Sequence, residues 1–257
     1  MDKKTIGFIG MGNMGKSIYH GLSGSYKKIA YDVVQKDDTS IQFVESMQEC
    51  IETSDIILIA VKPNQVIDVL KEIQSPKTIL SIAAGIGYKF IKNNTPMGSH
   101  VVRTMPNLPI LTGRGVIAYF GDKEVYSLVE SLFDCIALTV QLDKEEQMDA
   151  ITGLSGSGPA FVFSFLQAMA EGGVKSGLNY KQALEIASET IQGSIQYFLD
   201  ELRKNPLTHP MELRNRVTSP GGTTIFGIAE WERAGVQSGI LESVYQASLR
   251  SNNLSKP

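Results

Sequence analysis

Small polar residues near the end of the chain carry the most evident chemistry. The segment Ser219–Thr224 contains a proline and two glycines, and it precedes helix-forming residues that begin at Ile225. This pattern predicts a tight turn that feeds a helix N-terminus, where exposed main-chain N–H groups and the helix dipole suit a small carboxylate. The hydroxyls of Ser219, Thr223 and Thr224 would contact the rest of the ligand. An ordinary helix start capped by threonine is the alternative.

Glycines near the start of the chain indicate a nucleotide. Gly10, Gly12 and Gly15 form G-x-G-x-x-G after an apolar strand and before a helix, the context that dinucleotide binding requires. Asp32 follows Gly10 by 22 positions, close to the spacing of a ribose-binding acid. Its carboxylate would repel a 2′-phosphate, which favours NADH over NADPH. Alternatively Asp32 caps the next turn, and Lys36 could still accept a phosphate.

Further candidates follow the predicted strands, whose carboxyl ends face the ligand crevice in such folds. Asn107 lies between two prolines that stiffen its loop, so its amide could orient a substrate or a nicotinamide. Lys62 has a plain alternative as a solvated surface charge. The candidates at strand ends are Ala60, Val61, Lys62, Pro63, Ala83 and Asn107.

The pattern of elements divides the chain in two. Strands alternate with helices up to about residue 141, which predicts a parallel, doubly wound α/β sheet. From Lys144 onward the periodicity is helical, and it predicts one long helix over Tyr180–Asn205. We therefore predict a Rossmann-type dinucleotide-binding domain over residues 1–142. Residues 143–257 would form an all-helical domain for dimerisation and substrate binding.

Composition excludes several classes of protein. The 257 residues carry a net charge of −3 without a basic run, which argues against nucleic acid or an anionic membrane as a partner. The three histidines are scattered, so no metal site is expected. Two distant cysteines, the absence of a long apolar run and a start that leads directly into a strand predict a cytoplasmic protein without a signal peptide.

Taken together, these residues make the chain resemble the pyrroline-5-carboxylate reductase family. The similar segments occur in the family's order and cover nearly the whole chain: Phe8–Gly15, Ala60–Pro63, Ser81–Gly85, Arg103–Asn107, Gly153–Ala160 and Val217–Thr224.

The resemblance implies a Rossmann domain and a helical domain that interlocks with a second subunit, with dimers that often assemble into decamers. The implied reaction is reduction of the C=N bond of 1-pyrroline-5-carboxylate to L-proline by NAD(P)H, the last step of proline biosynthesis. The implied catalytic residues are Thr224, closest to the ring nitrogen, and Ser219 as the second choice. The implied substrate-binding residues are Val217, Ser219, Gly221, Gly222, Thr223 and Thr224. The implied cofactor-binding residues are Gly10, Met11, Gly12, Asn13, Met14, Gly15, Asp32, Ala60, Val61, Lys62, Pro63, Ala83 and Asn107.

Two positions depart from the family pattern, and both concern the choice of cofactor. Asp32–Val34 stands where many members have a polar loop suited to a 2′-phosphate, and Met47 stands where some have a polar residue near the adenosine. Two other functions share part of this pattern. A β-hydroxyacid dehydrogenase needs a catalytic lysine where this chain has Ser155–Gly158. A non-catalytic, dinucleotide-binding relative would be expected to have lost the Ser219–Thr224 segment, which is intact here.

Overall fold

The computed structural model describes residues 3–22, 24–34 and 38–254, and the chain in it forms two compact units. The first runs to Pro159 and also includes the chain from Val244 onward, while the second is Ala160–Ser243. The boundary expected at 142/143 thus falls inside the first unit. The end of the chain returns to this unit, where Ser251 and Asn252 donate hydrogen bonds of 2.6 and 3.0 Å to the Asp149 carboxylate.

Seven strands form a single sheet in the first unit. They are β1 (Thr5–Ile9), β2 (Lys27–Tyr31), β3 (Ile56–Ile59), β4 (Thr78–Ser81), β5 (His100–Pro106), β6 (Gly115–Gly121) and β7 (Ala137–Gln141). Their order across the sheet is β2-β1-β3-β4-β5-β6-β7. Strands β2 and β3 lie on opposite sides of β1, so the strand order reverses at β1. Doubly wound sheets bind their ligands at such a switch point.

One pair of strands departs from the parallel sheet that the alternation predicts. β5 and β6 are antiparallel, with Thr104 opposite Tyr119. Residues 107–114 join them through a 3₁₀ turn over Leu108–Thr112. A parallel connection needs a crossover of a dozen or more residues, usually a helix, so this linker is too short. All other pairs are parallel, as expected.

Helices cover both faces of the sheet. The helices of this unit are α1 (Asn13–Gly21), α2 (Met47–Glu52), α3 (Val66–Glu72), α4 (Tyr88–Asn93), α5 (Tyr126–Phe133) and α6 (Gln147–Ile151). Strand β3 shows how the layers form: Ile56 and Leu58 belong to the core shared with α1 and α5, while Ile57 and Ile59 belong to the core under α2, α3 and α4. An apolar strand buried on both faces is typical of a central parallel strand.

Helices make up the rest of the described chain. They are α7 (Gly158–Lys175), α8 (Tyr180–Lys204), α9 (Pro210–Arg216), α10 (Thr223–Arg233) and α11 (Val236–Leu254). The long helix predicted from Tyr180 is confirmed as α8. The interruption expected around Gly153–Ala160 is a π-helical turn, Thr152–Gly156, that leads from α6 toward α7.

The second unit buries few side chains of its own. Ala170, Ala183 and Ala187 are its buried apolar residues in the described part of the chain. Larger side chains stay open, such as Phe163, which is 58% exposed, and Ile195, which is 57% exposed. Separately, among the described helices none is long and apolar enough to cross a membrane.

Candidate functional site

The loop between β1 and α1 has the shape that the glycine pattern predicts. Gly10 has φ +95°, a left-handed conformation that residues with side chains rarely adopt. A Cβ at this position would lie 2.7 Å from the main chain of Ala60. A Cβ on Gly15 would lie 2.5 Å from the Gly10 carbonyl oxygen, whereas one on Gly12 would meet nothing within 4 Å. The first and third glycines thus allow close packing, and the second leaves open space.

The start of α1 is suited to a phosphate. Gly12 occupies the N-cap position, and no side chain of the described residues caps the helix there. The first-turn N–H groups are therefore left for a ligand, at the positive end of the helix dipole. Since Gly12 adds no side chain over these groups, the loop fits the pyrophosphate of a dinucleotide.

Asp32 follows β2 and is tied to this loop. Its Oδ2 accepts a hydrogen bond of 2.6 Å from the Met11 N–H, and its Oδ1 accepts one of 2.9 Å from the Val34 N–H. The second bond is the turn-capping contact of the alternative interpretation. The first holds the carboxylate beside the glycine loop. Lys36, the candidate phosphate ligand, lies outside the described residues.

A cavity of about 370 Å³ lies at the switch point of the sheet. It begins at the glycine loop, passes Asp32 and reaches the first turns of α3. Its lining residues are Ile9, Gly10, Gly12, Tyr31, Asp32, Val33, Met47, Ala60, Val61, Lys62, Gln65, Asp68 and Val69. Six of the predicted cofactor residues are brought together here: Gly10, Gly12, Asp32, Ala60, Val61 and Lys62.

Other predicted residues of the loop serve its structure. The Met11 side chain is buried in the core, and Met14 packs against the same core. The Asn13 carbonyl accepts a hydrogen bond of 2.6 Å from the Ser17 hydroxyl within α1. These residues do not line the first cavity. They fix the loop from behind, so a contribution of their side chains to binding would be indirect.

A second cavity, of about 490 Å³, lies at the carboxyl ends of β3 and β4. Pro63, a predicted cofactor residue, lines it, but Ala83 is buried, and the next residues, Ala84 and Gly85, line the cavity instead. The rest of the wall was not predicted from the sequence; it comes from Ile86, from the π-helical turn and the residue after it, and from α11. These residues are Ile86, Thr152, Ser157, Ala247, Arg250, Ser251 and Leu254.

The Asn107 amide is engaged on both of its ends. Its Oδ1 accepts a hydrogen bond of 2.9 Å from the Val116 N–H at the start of β6. Its Nδ2 lies 3.0 Å from Ser155 Oγ and 3.3 Å from the Ser155 carbonyl oxygen. The side chain is therefore held in one place, as the two flanking prolines predict, but its partners belong to the protein.

The turn before α10 belongs to the second unit and has the geometry that its sequence requires. The Gly222 N–H donates to the Ser219 carbonyl over 3.1 Å, which closes a β-turn with Pro220 and Gly221 at its centre. Gly221 has φ +71°, so the turn is of the type that needs glycine at its third position. A Cβ on Gly222 would lie 2.3 Å from Ser219 Oγ. The two glycines thus keep the Ser219 hydroxyl against the start of the helix.

The first turn of α10 has no side-chain cap among the described residues. Within the same part of the chain, the hydroxyls of Ser219, Thr223 and Thr224 make no hydrogen bond. Thr223 and Thr224 are also exposed. Free N–H groups and free hydroxyls therefore lie together, whereas the capped-helix alternative would have engaged a threonine hydroxyl. Val217 lies beside this turn with 68% of its surface exposed.

The doubly wound sheet, the glycine loop and the cavity at the switch point define a dinucleotide-binding oxidoreductase fold. Comparison with known proteins gives its family. A family model described as pyrroline-5-carboxylate reductase dimerisation matches residues 145–254, and one described as NADP oxidoreductase, coenzyme F420-dependent, matches residues 5–85.

Relatives match over the full length of the chain. The pyrroline-5-carboxylate reductase of Methanosarcina acetivorans is 35% identical over 277 residues, covering 100% of both chains. That of Aquifex aeolicus is 36% identical over 263 residues, covering 97% of each. A crystal structure of Plasmodium falciparum pyrroline carboxylate reductase with NADP bound has a TM-score of 0.88 at 29% identity, with 100% of both chains covered. The chain belongs to the pyrroline-5-carboxylate reductase family.

Proposed function

We propose that this protein reduces the C=N bond of 1-pyrroline-5-carboxylate to give L-proline, with NAD(P)H as the reductant, in the last step of proline biosynthesis. Family membership supports the reaction. The observation that carries it in this chain is the uncapped start of α10, where three hydroxyls lie beside free N–H groups. A small ring with a carboxylate and an imine nitrogen matches this site, because the carboxylate can accept from the N–H groups and the nitrogen can accept from a hydroxyl.

The cofactor fits the first unit. The glycine loop Gly10–Gly15 would hold the pyrophosphate, and Asp32 with Ala60–Lys62 would hold the adenosine half in the first cavity. The second cavity, which Pro63 and Gly85 line, would receive the nicotinamide end. When bound, the reduced nicotinamide supplies the hydride that the imine carbon accepts. Ala83 and Asn107 would then support this end from behind.

The substrate would bind through main-chain and hydroxyl groups at α10. The N–H groups of Thr223 and Thr224 would hold the ring carboxylate at the positive end of the helix dipole, and Gly222 would leave room for it. Thr224 would donate a hydrogen bond to the ring nitrogen, with Ser219 as the second candidate donor. Val217 and Gly221 would complete the substrate contacts.

Proton supply needs no strong acid in this arrangement. The segment Ser219–Thr224 contains no carboxylate, histidine or lysine. An imine that arrives partly protonated is already electrophilic, so a hydroxyl that orients it is sufficient, and water can replace the proton. Most of the rate enhancement would come from holding the imine carbon in a reactive position.

We further propose that NADH is preferred over NADPH. A carboxylate at Asp32 would accept hydrogen bonds from the ribose hydroxyls and repel a 2′-phosphate. Its position beside the glycine loop supports this choice. We expect Asp32→Ser to raise the ratio of kcat/KM for NADPH to that for NADH by about tenfold, or about 1.4 kcal/mol. A wild-type enzyme that strongly prefers NADPH would contradict the assignment.

The helical part of the chain, from residue 143 onward, would also form a homodimer, and dimers could assemble further, up to a decamer. The exposed Phe163 and Ile195 support an apolar contact with a second copy. We also assign the protein to the cytoplasm, because Cys50 and Cys135 are both free thiols.

One assay tests the reaction. Purified protein is mixed with NADH or NADPH, and the loss of absorbance of the reduced nicotinamide is followed after 1-pyrroline-5-carboxylate is added. The homologous six-membered cyclic imine is compared in parallel. We expect rapid oxidation with the five-membered ring. Binding of NADH without oxidation would instead identify a non-catalytic, dinucleotide-binding protein.

A further inference from the structure

Asn107 lies where two distant segments of the chain meet. One is the loop that joins β5 to β6, and the other is the π-helical turn Thr152–Gly156. Only 8% of the Asn107 surface is exposed, and its amide contacts Val116 at the start of β6 and Ser155 in the π-helical turn. A buried amide with partners on both ends links those partners rigidly.

The contact with Ser155 compensates for a missing hydrogen-bond donor. In a regular helix the carbonyl of Ser155 would accept from the N–H of residue 159, four positions later. That residue is Pro159, which has no N–H. The Asn107 Nδ2, at 3.3 Å from the Ser155 oxygen, supplies a donor in its place. Pro159 therefore cannot supply the donor that a continuous helix would offer to this oxygen, and the Asn107 amide donates to it instead.

The same turn forms part of the second cavity. Thr152 begins the turn, Ser157 follows it, and both line the cavity together with Pro63 and Gly85. The Ser157 N–H donates to the Thr152 carbonyl over 2.9 Å, which sets the wider π-helical turn. Movement of this turn would therefore move the cavity wall.

Besides Asn107, helix α11 holds the turn. A Cβ on Gly153 would lie 2.1 Å from Ser248 Oγ and 2.6 Å from the Val244 carbonyl oxygen, so the glycine permits direct contact with the helix. The turn is thus attached to α11 at Gly153 and to the sheet through Asn107. Loss of the second attachment would leave Ser155 without the hydrogen bonds that fix it to the sheet.

We infer that Asn107 is a positioning residue for the reduction, which acts through Ser155 to hold Thr152 and Ser157 in the wall of the second cavity. The inference rests on the proposed function, in which this cavity receives the nicotinamide end of the cofactor. The Asn107 Nδ2 donates to both the carbonyl and the hydroxyl of Ser155, so its effect on the cofactor would pass through the turn.

The test compares two ligands in four variants. NADH carries the nicotinamide, and ADP-ribose lacks it, so the ratio of their Kd values reports on the nicotinamide end alone. The variants are Asn107→Ala, Ser155→Ala, Pro159→Ala and the double variant Asn107→Ala/Pro159→Ala. Titration calorimetry gives both Kd values, the fluorescence of bound NADH reports the surroundings of the nicotinamide, and thermal melting shows which variants fold.

We expect Asn107→Ala to raise the Kd for NADH about fivefold and to lower kcat about tenfold, while the Kd for ADP-ribose changes less than about twofold. Ser155→Ala, which keeps the contact with Val116, should raise the Kd for NADH about threefold. Pro159→Ala alone should stay within about twofold of the wild type. In the double variant the restored N–H can donate to the Ser155 carbonyl, so at least about half of the lost NADH affinity should return.

Three results would overturn the inference. An unchanged Kd for NADH in Asn107→Ala or Ser155→Ala would show that the turn does not hold the nicotinamide site. Equal weakening of NADH and ADP-ribose would mark a purely structural role. Absence of rescue by Pro159→Ala would point to a direct contact of Asn107. If Asn107→Ala does not fold, Ser155→Ala decides alone. Should the wild type fail to reduce 1-pyrroline-5-carboxylate, the proposed function falls, but the ligand comparison still decides the role of Asn107.

Discussion

The two compact units of this chain reach stability in different ways. The first has a sheet buried on both faces, and large side chains such as Phe8, Leu58 and Phe133 are fully enclosed. The second buries three alanines in the described part of the chain and leaves Phe163 and Phe226 largely exposed. The second unit nevertheless forms long helices such as α8, so the contrast lies in packing and not in helix formation.

Because of this contrast, the stability of the two units should depend differently on protein concentration. Burial of a large apolar side chain contributes about 1.5–3 kcal/mol, and the first unit obtains this from its own residues. The second unit can obtain it only when another surface covers its helices. The first cavity is lined by residues of the first unit and can therefore form in a single chain. The helices of the second unit leave large apolar side chains exposed, so a partner would add to their stability.

The largest effect is expected when negative charges replace exposed apolar side chains of the second unit. Because a buried, unpaired carboxylate costs several kcal/mol, Phe163→Glu/Ile195→Glu should weaken self-association at least about a thousandfold. Sedimentation over a range of concentrations measures this. Met97→Glu is the matched control, since Met97 is 96% exposed in the first unit and should leave association unchanged. A double variant that associates like the wild type would place the interface elsewhere.

The turn Ser219–Gly222 and the first residues of α10, which we propose bind the substrate, should control the chemical step. Loss of the hydroxyl in Thr224→Ala should lower kcat by about ten- to a hundredfold, or about 1.4–2.7 kcal/mol, because the ring nitrogen loses its donor. The Kd for NADH, measured by calorimetry, should not change. Thr224→Ser keeps the hydroxyl and should retain most of the activity. An unchanged kcat in Thr224→Ala would remove this residue from the mechanism.

In the nucleotide-binding unit, two glycines of one loop should respond in opposite ways. Gly10→Ala forces a side chain into a left-handed conformation and against Ala60, so the free energy of unfolding should fall by about 2 kcal/mol or more. The added methyl group of Gly12→Ala meets no atom of the protein within 4 Å, so the melting temperature should not change. Because it fills the space above the loop, it should raise the Kd for NADH several-fold. Equal melting temperatures for both variants would contradict the packing described here.

The smallest effect concerns pH and the partly buried carboxylate of Asp122 in the first unit. Burial by itself would raise the pKa of Asp122, but hydrogen bonds from Lys92, Tyr88 and the Val101 N–H together hold this pKa below its ordinary value. The stabilisation is therefore present above the unfolded pKa of about 4 and is lost as pH falls through the lower folded value. We expect Asp122→Asn to lower the free energy of unfolding by about 1–2 kcal/mol at pH 7.

Denaturant titrations at several pH values measure this difference. It should stay constant from neutral pH down to about 4 and shrink below that. Asp68→Asn, at an exposed position of α3, serves as the control and should change little at any pH. A difference that grows as the solution becomes acidic would have the wrong sign for a carboxylate with a lowered pKa.

The features of the fold that depend on local patterns were predictable. The unbroken apolar run Ile56–Ile59 identifies a strand that is buried on both faces. Apolar residues every three or four positions over Tyr180–Lys204 identify a helix with one apolar face. The direction of β6 was predicted wrongly. The short connection over residues 107–114 was the available signal, since it excludes a parallel crossover.

The candidate sites show the same limit. The glycine loop, Asp32 after β2 and the turn before α10 are each formed by residues close together in the sequence, so they were predictable. Gln65 and Asp68 could have been found as well, because α3 starts at the same sheet edge. Thr152, Ser157 and Arg250 reach the second cavity only through tertiary packing of the π-helical turn and α11, and no local pattern marks them. Likewise, the partners of Asn107 lie 9 and 48 positions away.

Helix α11 gives the chain an unusual order of assembly. Its final turns, from Val244, belong to the same compact unit as β1, although the whole of Ala160–Ser243 separates them from Pro159. On a ribosome the sheet therefore emerges long before this packing element, because Ser251 follows Asp149 by 102 positions. Completion of the nucleotide-binding unit is delayed until the helices that lie between these two residues have been synthesised.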